Sequence, residues 1–583
     1  MKKRLIAILL TCSLMCMLSV HAAATEDSLP SEGDILHGFQ VTGRGTLDIL
    51  DCPTVTLEHE KSGAAVYYIA NGDPNRTFDI TFHTPAENDK GIPHILEHMT
   101  VSGSEKYPSP NIFFPAAYQT YNTFVNAMTD ETTTTFPVSS LSEDQLLKLM
   151  DLYLDGVFHP LFYTEPRLFE REAWRYDLQS ADAPITITGT VYNEMKGAID
   201  IYRAADYHLQ NTLFPGSIIG SNSGGDPIAI PTLTYEELLN FHRTYYHPSN
   251  ALVVLYGDLD LGRCLEMMDS YFSEYDRTEI DVPDGGVAPL SAPVNGRYEF
   301  PVEAGSDTSK GAVIGYGFVA NGASREEIAG LNILTDLLSS DGSPVKDAVE
   351  KALPGAGFSV SVDMNFPQTR VTFQADGVDE TDADTFRNAV SQGLAALVED
   401  GVDRELILGI ISAAQFSLRS ITESSQIGPS LASLIASRWA VEGELDYLNF
   451  YSHTLEDMKD KAGRGWFVEL AERYLLNNPH SGVAVTVPVA GLKEKQEADL
   501  AQRLADKKAA MSDTEIMALL QKTEDFAAWT AQEAPKSMVE ALKAVTVQEL
   551  PEELVDYPIS DQTERGVRYL TAEAQVSGIG FTG

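Results

Sequence analysis

Residues 91–99 read Gly91-Ile92-Pro93-His94-Ile95-Leu96-Glu97-His98-Met99. Pro93 favours a helix start, where a missing N–H costs nothing. On that helix His94 and His98 stand four residues apart and project from one face, a turn above each other. Glu97, three after His94, borders the same face, while Ile95, Leu96 and Met99 supply the packing face. Two imidazoles at this spacing can share one Zn²⁺, with the carboxylate beside its open coordination position. This is the H-x-x-E-H order, the reverse of the more familiar zinc-protease helix. Such a short pattern also arises by chance as two surface histidines beside a solvated Glu. A tetrahedral catalytic zinc wants a third protein ligand. Glu194, in Val191-Tyr192-Asn193-Glu194-Met195-Lys196-Gly197, is a candidate that spacing alone does not select from so many acids.

Outward from the motif, the pattern is mixed. Val66–Ala70 and Thr77–Phe82 read as strands with a turn signal at Asn71-Gly72-Asp73-Pro74. Leu146–Phe158 has helical apolar spacing, and Ala251–Tyr256 is a continuous apolar run typical of a buried strand. Asp281–Asn295, with three prolines and two adjacent glycines, reads as a linker. After it the alternation recurs: strand-like at 311–319, helical at 326–338, strand-like at 368–374, helical at 385–398 and 404–476, strand-like at 482–487. Two α+β units of similar size therefore follow each other. Residues 492–549 are Ala-, Glu-, Lys- and Gln-rich and suit two antiparallel helices joined near Ala534-Pro535. Another strand-like run starts at Arg565, the expected start of a further domain.

The length of 583 residues suggests about three to four domains. With 41 Lys+Arg against 85 Asp+Glu, the formal charge of −44 argues against nucleic acid and anionic membranes as partners. It suits a solvated acidic surface or cationic substrates. Lys2-Lys3-Arg4, the apolar run Leu5–Leu18 and small residues at 22–24 read as a cleavable signal peptide over 1–24. A secreted or periplasmic location, with no stable membrane insertion after its removal, is the expectation. Outside the leader the cysteines are Cys52 and Cys264, either a disulfide pair or two buried thiols. His59, His83, His242 and His247 lack ligand-spaced partners and read as ordinary histidines. Gly578-x-Gly580-x-x-Gly583 matches a dinucleotide loop only in letters. No Walker loop and no G-x-S-x-G elbow occurs.

The chain resembles the insulinase and pitrilysin metallopeptidases (family M16), of the presequence protease type. The resemblance rests on Gly91–His98, Gly103-Ser104-Glu105-Lys106-Tyr107-Pro108, Tyr121–Thr129 and Phe169–Tyr176, with Ala173 where glycine is usual. It extends through 191–197, Ser223–Pro227, Ile230-Pro231, Tyr246–Ala251 and Gly342-Ser343-Pro344. It implies zinc held by His94, His98 and Glu194, with Glu97 as general base. It implies that Asn126 and Ala127, on an edge strand, hold the substrate backbone by strand addition. It implies an α+β fold. Two homologous M16-type sandwich domains (36–275 and 290–490) would be followed by a helical hairpin linker (491–560) and the start of a third domain (561–583). Members of this type are about twice as long, and their second half closes a chamber around unfolded peptides. The expected activity is zinc-dependent peptide hydrolysis, with a second-half chain as partner. The alternative is a non-catalytic scaffold or binding subunit, separated from the enzyme by zinc content. A third reading is an acidic peptide-binding export factor, whose binding survives chelation.

Overall fold

The computed structural model describes residues 29–542 and 559–572. The leader at 1–24, its Cys12 and Cys16, and the Gly578–Gly583 motif lie outside them. In the first unit the strands are β1 (Ile35–Leu36), β2 (Phe39–Leu47), β3 (Cys52–His59), β4 (Ala65–Ile69), β5 (Arg76–His83), β6 (Phe124–Val125), β7 (Met128–Thr129) and β8 (Thr133–Ser140). A small ribbon, β9 (Arg175–Asp177) with β10 (Thr186–Thr188), precedes β11 (Ala251–Tyr256). The main sheet runs β1-β2-β3-β4-β11-β5-β8-β6, with β7 also on β8. The turn at 71–74 is present, but it joins strands that do not pair. The unit's last strand, β11, lies between them, parallel to β4 and antiparallel to β5.

The second unit holds β12 (Val294–Val302), β13 (Ala312–Val319), β14 (Gly357–Asp363), β15 (Arg370–Val378) and β16 (Ser481–Ala490). Its sheet order is β12-β16-β13-β15-β14, and β12 is parallel to β16. Its first, last, second, fourth and third strands thus take the places of β4, β11, β5, β8 and β6–β7. The recurrence seen in the sequence pattern is a recurrence of topology. The helix after β13, Arg325–Ser339, occupies the chain position of the Ile92–Thr100 motif helix and carries no histidine.

Each unit covers the other's sheet. The Ile201–Leu213 helix of the first unit packs Leu209 and Leu213 with Val319 and Ala484 of the second. The Ile427–Glu442 helix of the second packs Ile427, Leu431 and Ile435 with Tyr67, Leu252, Val254 and Tyr256 of the first. Gly428 allows this approach: a Cβ there would stand 2.1 Å from Thr77 Oγ1. Apolar residues buried in such shared cores are worth roughly 1.5–3 kcal/mol each, so the two units are held as one body.

The helices Leu492–Ala509 and Asp513–Thr530 form the hairpin. It turns at 510–512, not near Ala534-Pro535 as the composition suggested. Ser512 accepts from the Glu515 amide and Glu515 reaches back, a capping box that fixes the start of the second helix. Pro535 instead precedes a short third helix, Lys536–Leu542. β17 (Ile559–Glu564) and β18 (Val567–Ala572) pair as a separate ribbon. Cys52 and Cys264 are both buried free thiols. No helix among the described residues is long and apolar enough to cross a membrane.

Candidate metal centre and peptide-binding edge

The motif helix spans Ile92–Thr100 and buries Ile92, Ile95, Leu96 and Met99. Its N-cap, Gly91, has φ +68°, and a Cβ there would lie 2.8 Å from the Gly224 carbonyl oxygen. The 222–225 loop therefore closes directly on the start of the helix. This contact serves the site, because His94 Nδ1 donates to the Gly224 carbonyl at 3.3 Å. His98 Nδ1 donates to Glu172 Oε2 at 3.3 Å. Both acceptors are oxygens, so each neutral ring keeps its proton on Nδ1 and its lone pair on Nε2. Those Nε2 atoms face Glu194, at 3.7 Å from His94 and 3.8 Å from His98.

Glu194 comes from the Thr190–Ala198 helix. Gly189 precedes it, and a Cβ there would overlap the Ala173 carbonyl at 2.1 Å. The missing side chain lets this helix lie against the segment that ends in Glu172 and Ala173. The result is a cluster whose three ligand atoms all lie within 4.8 Å of one another. Zinc bonds to such donors are about 2 Å long, so one ion can reach all three. Two neutral imidazole nitrogens, one carboxylate and acceptors behind both rings fit zinc well. Burial, then the neighbouring His98, holds His94 below the ordinary histidine range. At His98 burial also pulls down, but the hydrogen bond and charge of Glu172 outweigh it and raise the ring's pKa. Burial pushes Glu172 up, yet His98 and Arg171 bring it below the usual carboxylate range.

Glu97 lies on the same helix, and its Oε2 accepts from Thr129 Oγ1 at 2.7 Å. Thr129 belongs to the edge of the sheet. There Phe124 pairs with Ser139 and Val125 with Val138, and the same register continues at Met128–Thr135 and Thr129–Thr134. Asn126 and Ala127 thus sit in one edge strand that is interrupted between β6 and β7. Pro137 is the physical cause. The Asn126 amide donates to its carbonyl at 3.4 Å, but proline has no N–H to return. The Tyr153 hydroxyl donates to the Asn126 carbonyl instead, at 2.9 Å. Since Asn126 points its main chain at β8, alternation turns that of Val125, Ala127 and Thr129 outward along a free sheet edge.

The cluster therefore joins His94, His98 and Glu194, sets Glu97 beside them, and ties Glu97 to the edge that carries Asn126 and Ala127. Sequence reasoning did not single out Glu172, Thr129, Gly224 or Tyr153. Glu172 and Thr129 lie inside stretches that carry the family resemblance, but nothing in spacing separates Glu172 from the other acids. The four histidines that lack ligand-spaced partners serve the fold. His59 bonds Ser62 and Asp269, and His242 bonds Tyr163 and the Val157 carbonyl. His247 caps Ser249, and burial lowers His83 to about 4.

The chain is thus a two-unit α/β sandwich with a His-His-Glu cluster beside a free sheet edge. Family models match residues 83–195 (insulinase, peptidase family M16), 232–413 (peptidase M16 inactive domain) and 487–582 (peptidase M16C associated). The chain belongs to peptidase family M16 and is of the presequence protease-like type. It is 30% identical to protein HypA of Clostridium perfringens, over 94% of this chain and 57% of that one. It is 31% identical to the mitochondrial presequence protease of Schizosaccharomyces pombe, over 89% and 53%. With presequence protease 1 of Arabidopsis thaliana the identity is 28%, over 97% and 54%. The chain thus spans a little over half the length of these relatives. The fold is shared with a protease from Helicobacter pylori (TM-score 0.59, 17% identity, 75% of this chain and all of that one). It is also shared with the periplasmic protease PqqL of Escherichia coli (TM-score 0.53, 17% identity, 93% and 55%).

Proposed function

We propose that this chain is the metal-bearing half of a zinc endopeptidase that cleaves unfolded peptides. The observation that carries the reading is the cluster of two Nε2 atoms and one carboxylate, with Glu97 tied through Thr129 to the free edge. A peptide would add to that edge as a further strand, bonding the outward main chain of Val125, Ala127 and Thr129. Beyond Thr129 the edge leads to a cleft of about 840 Å³ between the units, lined by Glu131, Thr132, Asp281 and Phe366 among others.

His94, His98 and Glu194 would hold Zn²⁺, which would supply Lewis acidity at this site. Glu97 takes the proton of the attacking water and passes it to the leaving amide nitrogen. The Thr129 hydroxyl fixes one carboxylate oxygen for this task. Gly224 and Glu172 hold the two rings in the tautomer that ligation requires. The relatives carry nearly as much chain again. The β17–β18 ribbon exposes Ile559, Val567 and Leu570, and an isolated two-stranded ribbon is marginal in water. A further sheet, continuous or supplied by a partner chain, would cover it and close a chamber over the edge. With a leader at 1–24, the substrates would be peptides outside the cytoplasm.

The test is Glu97→Gln in the full chain. Zinc content should stay at one per chain while cleavage of an unfolded reporter peptide falls at least about 10²-fold. Cleavage at the wild-type rate would remove Glu97 from its role. Stoichiometric zinc with no cleavage by the wild type would favour a chain that depends on its other half. No zinc at all would favour the scaffold reading.

A further inference from the structure

The hairpin that follows the second unit reaches back to the metal-binding cluster. Its second helix buries Phe526 and Trp529 in the first unit's core. Three guanidinium groups of one short segment lie over these rings. Arg167 is 4.8 Å and Arg171 5.7 Å from the Trp529 ring centre, and Arg175 is 3.9 Å from that of Phe526. Lys522 pairs with Glu170, and the Leu178 amide donates to Thr523 Oγ1.

Arg171 is the guanidinium whose remaining contacts lead to the cluster. Its Nε donates to Glu172 Oε1, and the other oxygen of that carboxylate receives His98 Nδ1. Its Nη2 donates to Ser102 Oγ at 2.7 Å, and Ser102 donates to the His98 carbonyl at 2.7 Å. Its Nη1 donates to Asn111 Oδ1 at 3.0 Å. The Asn111 amide nitrogen in turn donates to the Gln532 carbonyl at 2.6 Å, at the end of the hairpin. The hairpin therefore meets Arg171 twice, through the Trp529 ring and through Asn111.

Glu172 is 5% exposed, and Arg171 supplies the adjacent cation that keeps so buried a carboxylate charged. The Arg171 Nε holds one oxygen of that carboxylate while Nη1 and Nη2 are fixed on Asn111 and Ser102. If the guanidinium shifts, the oxygen that keeps the His98 proton on Nδ1 loses its aim. Acceptors behind a ligating ring commonly change metal affinity 10–100-fold. We propose that Trp529 and Asn111 are positioning residues for the metal centre. They dock the hairpin on Arg171, which holds Glu172 against His98, so metal affinity depends on a docked hairpin. The inference rests on the zinc reading of His94, His98 and Glu194.

The experiment titrates metal-stripped full chain with Zn²⁺ against a chromophoric chelator, and with Co²⁺ by visible absorption. Wild type and His94→Ala set the scale; equal affinities for these two would end the zinc reading and the inference with it. Trp529→Leu stays apolar but loses the ring face, and Asn111→Ala cuts the second link. Each should bind zinc about 10–100-fold more weakly and alter the Co²⁺ ligand-field bands, with Trp529→Phe restoring most of the loss. Leu394→Ala, in the remote core of the second unit, should destabilise the chain without moving either readout. Wild-type affinity and bands in folded Trp529→Leu, beside a real loss in His94→Ala, would overturn the coupling and leave the zinc site standing. If Trp529→Leu does not fold, the half-buried Asn111→Ala decides the question alone.

Discussion

Asp79 offers the sharpest test of the packing between the two units. It lies on β5 opposite Val254 of β11, on the sheet face covered by the Ile427–Glu442 helix. Its carboxylate is fully buried and receives the hydroxyls of Thr135 at 2.5 Å and Thr81 at 2.8 Å. Among the described residues no Lys, Arg or His pairs with it. Burial pushes its pKa up to about 6 from 3.8, and the two hydroxyls only partly offset this. The folded chain thus binds a proton that the unfolded chain has already released between pH 4 and 6. Stability from this group falls as pH rises through that window, and the full cost is present above about pH 6. At about 1.4 kcal/mol per pH unit, the difference amounts to about 3 kcal/mol. Asp79→Asn removes the charge, though its amide N–H groups need Thr81 or Thr135 to turn and accept. The expected gain is about 1–3 kcal/mol at pH 8, shrinking to nothing near pH 4. Urea midpoints of wild type and variant across pH 4–8, at constant m, read the difference directly. A gap of the same size at every pH, or one that widens toward acid, would refute the reasoning.

Other consequences can be checked with single variants. Ala127→Pro deletes an outward N–H that the fold does not use, and should raise KM for an unfolded peptide about 2–10-fold with zinc content unchanged. A fall in kcat alone would speak against strand addition at this edge. Gly428→Ala drives a Cβ into Thr77 Oγ1 and to within 2.9 Å of Tyr256 Cδ1, and should cost about 1–3 kcal/mol in denaturation. An unchanged midpoint would mean that the units are not packed as described. Removing zinc with a chelator should abolish cleavage, and one equivalent of Zn²⁺ should restore it.

Local signals carried far along this chain. Apolar continuity placed β11 at 251–256, and proline with period-3.6 spacing placed the motif helix. The same spacing set His94, Glu97 and His98 on one face, because i, i+3 and i+4 neighbours on a helix need no other part of the molecule. The alternation of elements before and after residue 290 exposed the doubling of the α+β unit. What failed locally failed for physical reasons. The turn at 71–74 suggested neighbouring strands, but a distant strand with a stronger apolar run took the place between them. The hairpin's bend was misread because proline marks where a helix can start as well as where one stops.

The sequence by itself determined the two-histidine face, its adjoining carboxylate and the kind of unit that bears them, since each follows from helix and strand periods over a few residues. The tertiary structure alone decided which of many acids meets those rings, which oxygens hold their protons, and which strand is left with an open edge. Those choices rest on close approaches between segments far apart in the chain, such as Gly189 on Ala173 and Gly91 on Gly224, and no local pattern encodes a distance across the fold.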